Sequence, residues 1–342
     1  MPAGPEPDAL PAGIPAPASF LRAARAALQH APDAVDPWFH GYLADLRTDR
    51  GLRTWVRAKQ QLMALAGGVQ GRVVVDAGSG FGMVANLLAA WGAERVWAID
   101  VHERMVRSHA LVNRAHFAEL AARVVPLVAD SGRLPLPAAS ADLVTCIEGV
   151  SLFYDADAFL DECARVLRPG GWVVISDGHN GANPAVRAQH EELWERLERG
   201  PMGRFGEVDV PEPMVSRRER LIRDRFPALA PELVSTLAEH TSCMDRAQIT
   251  AAVREHLAGG PLPASPYRRG MCPREPEWGY CLEQLFDPRD LAARLTKRGF
   301  AAQALPHFGG AANELVNAAN TLLRALPTFR WARGYRVVAR RH

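Results

Sequence analysis

Asp76 stands where a β-branched run, Val73-Val74-Val75, meets a glycine turn, Ala77-Gly78-Ser79-Gly80-Phe81-Gly82. Glycine lets the chain turn sharply and lets a ligand approach the backbone without a Cβ in the way. The pattern is GxGxG, and Met83 occupies the place where the dinucleotide fingerprint GxGxxG needs its last glycine. A nicotinamide or flavin dinucleotide is therefore the poorer fit, and an acid just before the first glycine suits an ammonium group better than a pyrophosphate. Asp100 follows the run Val96-Trp97-Ala98-Ile99, 20 residues beyond Gly80, the spacing at which a carboxylate can accept both hydroxyls of a ribose. Asp130, after Val128-Ala129, can accept from an exocyclic adenine amine. Together the three acids describe a ligand with an amine, a ribose and an adenine but no phosphates.

The elements that must hold these acids follow from hydrophobic pattern. Val73–Val75, Val96–Ile99, Val124–Val128, Leu143–Ile147 and Trp172–Ile175 are short apolar runs, too continuous for a sheet with one wet face. They predict parallel strands covered on both sides. Helical periods lie between them, the clearest from Asp155 to Leu167, closed by Pro169-Gly170-Gly171. Residues 36–66 predict an N-terminal helix stopped by Gly67-Gly68. Residues 183–258 read as helices only, with Asn183-Pro184 as one start and Asp245 with Gln248 as another. Prolines and glycines crowd 259–279 as a loop or hinge, and Asp287-Pro288 opens a helix that stops at Gly299. A strand from Phe300, a helix through Leu323 and a strand around Tyr335–Ala339 close the chain.

With 342 residues, 48% hydrophobic and 23% charged, and a formal charge of +2, the chain reads as a globular protein with no field that demands nucleic acid or an anionic membrane. Only Lys59 and Lys297 among the basic residues are lysines, which reads as a codon-composition bias. Residues 1–20 hold six prolines and lack a secretory pattern, so they are expected to be a disordered tail. No apolar run reaches the roughly 18 residues of a membrane span. The five cysteines form no CxxC pair, so no metal site or disulfide framework is expected, and a reducing cytoplasm is the expected compartment.

The segments Asp76-Ala77-Gly78-Ser79-Gly80-Phe81-Gly82, Ala98-Ile99-Asp100, Ala129-Asp130-Ser131-Gly132-Arg133-Leu134-Pro135 and Arg165-Val166-Leu167-Arg168-Pro169-Gly170-Gly171 resemble, in order, the motifs of class I S-adenosylmethionine-dependent methyltransferases of the methyltransferase-11 type. The resemblance implies an α/β, Rossmann-like, mostly parallel seven-stranded sheet. It implies S-adenosyl-L-methionine as cofactor and S-adenosyl-L-homocysteine as product, with the glycine loop of Gly78, Gly80 and Gly82 at the methionyl part, Asp100 at the ribose, and Asp130 and Ser131 at the adenine; Asp76 before the loop, Val101 after Asp100 and Glu148 past the fourth strand are the further cofactor-binding candidates. On that frame residues 21–70 are an N-terminal helical segment, 71–179 the donor-binding core, 180–286 a helical lid inserted after strand five, and 287–342 the return of the core.

Family members that methylate amino groups often carry Asn/Asp-Pro-Pro-aromatic after the fourth strand, whereas this chain has Glu148-Gly149-Val150-Ser151. The expected acceptor is a small molecule, most readily a hydroxyl of a secondary metabolite or sugar. An RNA or protein methyltransferase, or a donor-binding protein without turnover, are the rival readings. A hydroxyl nucleophile calls for a base, and strand ends offer His179, with Tyr154 and His307 behind it. Arg217, Arg218, Arg220, Arg223 and Arg225 in the lid read as a solvated helix face because Glu219 and Asp224 interleave them. Tyr267, Trp278, Tyr280 and Phe286 gather near the hinge, where they pack it or stack on a flat acceptor.

Overall fold

The structure, a computed structural model, describes residues 17–205, 208–310, 313–323 and 328–342. Most of the expected N-terminal tail, residues 1–16, lies outside the described residues. The elements run in the order α1 (Ala18–Gln29), α2 (Trp38–Tyr42), α3 (Asp49–Ala64), β1 (Val73–Ala77), α4 (Met83–Ala90), β2 (Arg95–Asp100), α5 (Glu103–His116), β3 (Val124–Val128), β4 (Ala141–Ile147), α6 (Ala156–Val166) and β5 (Leu167–Asp177). There follow α7 (Pro184–Arg199), β6 (Gly203–Phe205), β7 (Val208–Val210), α8 (Met214–Arg225), α9 (Pro231–His240) and α10 (Arg246–Leu257). The chain then returns through α11 (Pro288–Lys297), β8 (Phe300–His307), α12 (Glu314–Leu323) and β9 (Gly334–Arg341). Two compact units result: one holds the described residues up to Val150, Asp155–Gly178 and those from Asp287 onward, the other Ser151–Tyr154 and His179–Phe286.

The first unit is built on a seven-stranded sheet in the order β3-β2-β1-β4-β5-β9-β8. Every neighbouring pair from β3 to β5 is parallel, and β9 runs antiparallel to both β5 and β8. This is the Rossmann-like α/β architecture that the apolar runs and motifs predict. Consecutive residues such as Val74 and Val75, Leu143 and Val144, and Val173 and Val174 point to opposite faces and are all fully buried, so helices cover both sides. In α6 the Asp155 carboxylate accepts from the Ala158 N–H at 2.9 Å, and Phe159, Leu160, Cys163 and Val166 form the buried face. The N-terminal segment belongs to the same core: Phe20, Phe39 and Leu52 pack with Val74, Val96 and Val112, each such side chain contributing about 1.5–3 kcal/mol of burial. Its helix α1 starts at Ala18, inside the stretch expected as tail, and the single helix expected over 36–66 is α2, a 3₁₀ turn at Ala44–Arg47, and α3 capped by Thr48.

The second unit keeps its predicted caps. Asn183 accepts from the Ala185 N–H at 2.9 Å with Pro184 in the first turn, and Asp245 and Gln248 exchange both bonds of a capping box at α10. Two of its features depart from the sequence reading. β6 and β7 form an antiparallel pair within a stretch that reads as helices only. Arg218 is no part of a solvated face. It is fully buried, donating to the Glu198 carboxylate at 2.5 and 3.2 Å, to the Ser242 hydroxyl at 2.9 Å and to the Ala238 carbonyl at 2.7 Å. The apolar cluster of Ile222, Val234, Leu237, Ile249 and Val253 ties α8, α9 and α10.

A buried charge left without its partner costs far more than the intact pair contributes. Arg218→Met alone is expected to lower stability by about 3–5 kcal/mol in urea unfolding. The double variant Arg218→Met, Glu198→Met should lose much less, because it leaves no orphan carboxylate.

Candidate functional site

The carboxyl ends of β1, β2 and β3 bring Asp76, Asp100 and Asp130 to one edge of the parallel sheet. The glycine turn after β1 is fastened to β2, since the N–H groups of Gly78 and Ser79 both donate to the Ile99 carbonyl at 2.9 Å. Asp100 completes that attachment: one carboxylate oxygen accepts from the Gly80 N–H and the other from the His102 N–H, each at 2.8 Å. Burial raises its pKa above the ordinary carboxylate value, against the pull of these N–H groups. Each oxygen keeps a lone pair for a hydroxyl. Gly82 begins α4 at φ +77°, and a Cβ there would fall about 2 Å from the ring of His109 on α5, so the helix starts hard against that imidazole.

Asp76 is buried, pairs in register with Thr145 of β4, and accepts from the Thr145 hydroxyl at 2.9 Å through Oδ1. Its Oδ2 is buried and has no hydrogen-bond partner among the described residues. Burial pushes the carboxyl up to about 7, although the Thr145 hydroxyl and the Lys59 ammonium pull it down. An orphaned buried carboxylate oxygen beside a glycine turn fits a ligand that carries an ammonium group. Lys59 of α3 reaches the same place: it is buried, lies 3.6 Å from the Glu148 carboxylate, and has its pKa lowered by burial. Glu148 itself is exposed, at a backbone φ of +57°. Above the turn, Phe81 makes edge contacts with Phe39, Tyr42 and Trp38 at centroid distances of 5.2, 5.5 and 6.3 Å.

Asp130 is exposed and turns back on its own loop, accepting from the Gly132 N–H at 2.8 Å, while Ser131 is buried and Val101 is half exposed. Arg165 fixes the segment that follows, donating to the carbonyls of Leu134 and Leu136 at 3.0 and 2.7 Å and to Glu162, whose carboxylate accepts from the Leu134 N–H at 2.6 Å. That network holds Glu162 below the usual carboxylate range. His307 closes β8, paired with Gly334.

In the second unit His179 is brought together with two residues the sequence reading did not single out. Its Nε2 lies 3.4 Å from Oε2 of Glu283, and the Nε2 of His190 lies 3.8 Å from the same oxygen. Tyr154 is exposed, with the Arg274 guanidinium 3.5 Å from the centroid of its ring. Both line a cavity of about 470 Å³ with Arg187, Trp194, Cys243 and Cys272. The aromatic group expected at the hinge is divided: the Tyr267 hydroxyl donates to Glu195 at 2.6 Å, Trp278 is half exposed, and Phe286 is buried with its carbonyl accepting from the Gly181 N–H.

Residues 75–175 match the family model described as a methyltransferase domain. The motifs, the strand order and that match agree. Residues 75–175 form a class I methyltransferase domain. Similar curated proteins include a ubiquinone biosynthesis O-methyltransferase from Bordetella avium, 33% identical over 34% of this chain and 46% of that protein. Another, named "Probable S-adenosylmethionine-dependent methyltransferase", from Mycobacterium tuberculosis, is 36% identical over 36% of this chain and 42% of its own length. This chain thus spans just under half the length of these relatives. A solved S-adenosylmethionine-dependent methyltransferase from Mesorhizobium loti overlays 83% of this chain and 98% of its own at a TM-score of 0.45 and 18% identity.

Within the methyltransferase domain, His109 supplies a measurable consequence. It is fully buried, neither ring nitrogen has a partner among the described residues, and burial lowers its pKa to about 4. The folded value lies below the unfolded value of about 6.5, so the neutral ring's contribution is present above pH 6.5 and is lost as pH falls toward 4. The stability difference between the parent and His109→Leu in urea unfolding is expected to shift against the parent by about 3 kcal/mol between pH 7 and pH 4. A constant difference over that range would mean that the ring reaches solvent.

Proposed function

We propose that the chain is an S-adenosylmethionine-dependent methyltransferase that acts on a small-molecule hydroxyl. The observation that carries this reading is the unpartnered buried oxygen of Asp76 at the glycine turn, at the same strand-end edge as Asp100 and Asp130. Asp76 takes the ammonium of the donor's methionyl part, and the glycines at 78, 80 and 82 let that part approach the backbone. Asp100 accepts from the ribose hydroxyls beside Val101, and Asp130 with Ser131 meets the adenine. Glu148, paired with Lys59, borders the methionyl part.

The bound donor supplies a sulfonium methyl for in-line displacement. The chain's own task is to hold donor and acceptor in line and away from water, which can lower a barrier by about 7–11 kcal/mol without a catalytic side chain. A hydroxyl must also lose its proton, and we assign that step to the cluster of His179, His190 and Glu283, with Tyr154 and His307 as the other candidates. The inserted residues 180–286 select the acceptor. The absence of an Asn/Asp-Pro-Pro-aromatic segment after β4, the near-balanced charge and the O-methyltransferase name of the first relative support an oxygen acceptor of small size.

Two measurements test the donor site. Asp100→Ala should weaken binding of S-adenosylmethionine and S-adenosylhomocysteine by roughly 1.5–3 kcal/mol in calorimetry. Unchanged affinity in the folded variant would remove Asp100 from the ribose. Because the unliganded Asp76 carboxyl titrates near 7, donor affinity should rise about tenfold per pH unit up to that value and level off above it, and Asp76→Asn should abolish the slope.

The acceptor is tested with an isotopically labelled methyl donor and small-molecule extracts. A labelled product carrying a new O-methyl group is expected. Label found only in protein or RNA would replace the small-molecule reading.

A further inference from the structure

We infer that His179, His190 and Glu283 form a binding site for a divalent transition ion of the zinc type. The three ligand atoms all lie within 4.8 Å of one another, and the Glu283 oxygen stands 3.4 and 3.8 Å from the two imidazole Nε2 atoms. Ligand atoms of a tetrahedral zinc site, with bonds of about 2.0–2.1 Å, are separated by about 3.3–3.4 Å. Glu283 already stands near that separation from each imidazole, and closing on an ion requires ligand atoms up to 4.8 Å apart to draw together by about 1.4 Å.

Three details go beyond mere proximity. The Nδ1 of His190 faces the Val186 carbonyl at 2.9 Å, and since a carbonyl can only accept, Nδ1 carries the proton and Nε2 presents its lone pair to the cluster. A ring so oriented, with its far nitrogen donating to a backbone carbonyl, is the usual setting of a metal-ligating histidine. Next, Glu283 holds its place at a backbone φ of +61°, a left-handed conformation that a glutamate adopts only when its surroundings impose it. Finally, the burial is graded. The side chain of His190 is 7% exposed, that of His179 33% and that of Glu283 44%, so the site has a rigid floor and an open side through which an ion can enter.

Two imidazoles and one carboxylate favour zinc, cobalt or iron over calcium and magnesium, which prefer all-oxygen shells. Three protein ligands leave a position for water or another oxygen, as in catalytic rather than structural sites. If the methyl-transfer reading above holds, an acceptor hydroxyl at that position is made more acidic by the ion and gives its proton to solvent water, because the ion then takes the lone pairs that the empty cluster would offer as a base. The binding of the ion itself does not depend on that reading. The sequence pattern concealed the site because Glu283 lies 93 positions beyond His190, far outside any local ligand spacing.

The test is a titration of the full, chelator-treated chain with Co²⁺, followed by displacement with Zn²⁺, in the absence of donor and acceptor. One equivalent of Co²⁺ is expected, with the visible absorption of a nitrogen and oxygen site. His190→Gln and Glu283→Gln should each weaken binding at least tenfold, while S-adenosylhomocysteine affinity, read by calorimetry, stays that of the parent and reports an intact first unit. Glu283, at the open side, guards against a His190 variant that fails to fold. Less than stoichiometric binding, or affinity in the two variants equal to that of the parent, would overturn the assignment. So would near-ultraviolet thiolate-to-cobalt absorption that disappears in Cys272→Ser, because the ion would then sit on the cysteines of the neighbouring cavity. A failed titration with labelled methyl transfer intact would sink the metal site alone, and the reverse result would sink only the reaction.

Discussion

The geometry of the first unit depends on one buried carboxylate. Asp100 ends β2 and grips the N–H of Gly80 with one oxygen and that of His102 with the other. It thereby fixes the glycine turn after β1 to the end of the neighbouring strand and sets where α4 begins. Gly82 then has to start α4 against His109, and Phe81 has to turn under the aromatic side chains of α2. A carboxylate held by two backbone donors keeps further acceptor capacity, so the group that shapes the turn is also equipped to hold a diol. Asp76 lies at the next strand end with an oxygen that nothing in the described residues satisfies. The architecture holds one acid by backbone bonds and leaves the other hungry for a cation.

The second unit is organised on different physics. Its helices are joined by a modest apolar cluster and by the buried Arg218, which crosses from α8 to Glu198 of α7 and to Ser242 beyond α9. A guanidinium suits this task because its planar fork meets a carboxylate with two parallel bonds and still reaches a carbonyl and a hydroxyl. Elsewhere in the unit α7 carries His190 and Trp194 on one face, the Trp194 indole N–H donating to the Leu282 carbonyl at 3.0 Å next to Glu283. Backbone bonds position the same segment, the N–H groups of Cys281 and Gln284 donating to the carbonyls of Leu152 and Ser151 at 2.9 Å, which brings distant polar residues into one place.

Much of the first unit was legible in the sequence because its signals are local. Continuous β-branched runs mark parallel strands buried on both faces, and the glycine turn, the strand-end acids and the capped α6 each announce themselves within a few residues. The helix caps Asn183 and Asp245 were readable for the same reason. What escaped was non-local. The charge pattern around Arg218 looks solvated because Glu219 and Asp224 are its neighbours, while its partner Glu198 is 20 positions away. The antiparallel pair β6 and β7 has only three residues in each strand, too few to show alternation. Lys59 was visible as one of two lysines, yet only the fold sets it beside Glu148, as only the fold sets Trp38, Phe39 and Tyr42 over Phe81. The positive φ of Glu148 and Glu283 leaves no trace in residue type at all.

The central claim is that the glycine turn and the three strand-end acids together hold the donor. Backbone amide hydrogen exchange with and without S-adenosylhomocysteine tests it most directly, because the expected contacts surround identified N–H groups. Slowed exchange at residues 78–82, at His102 and at Ser131-Gly132 is the predicted result. Unchanged exchange at those amides under saturating ligand, or protection confined to residues 179–286, would contradict the account.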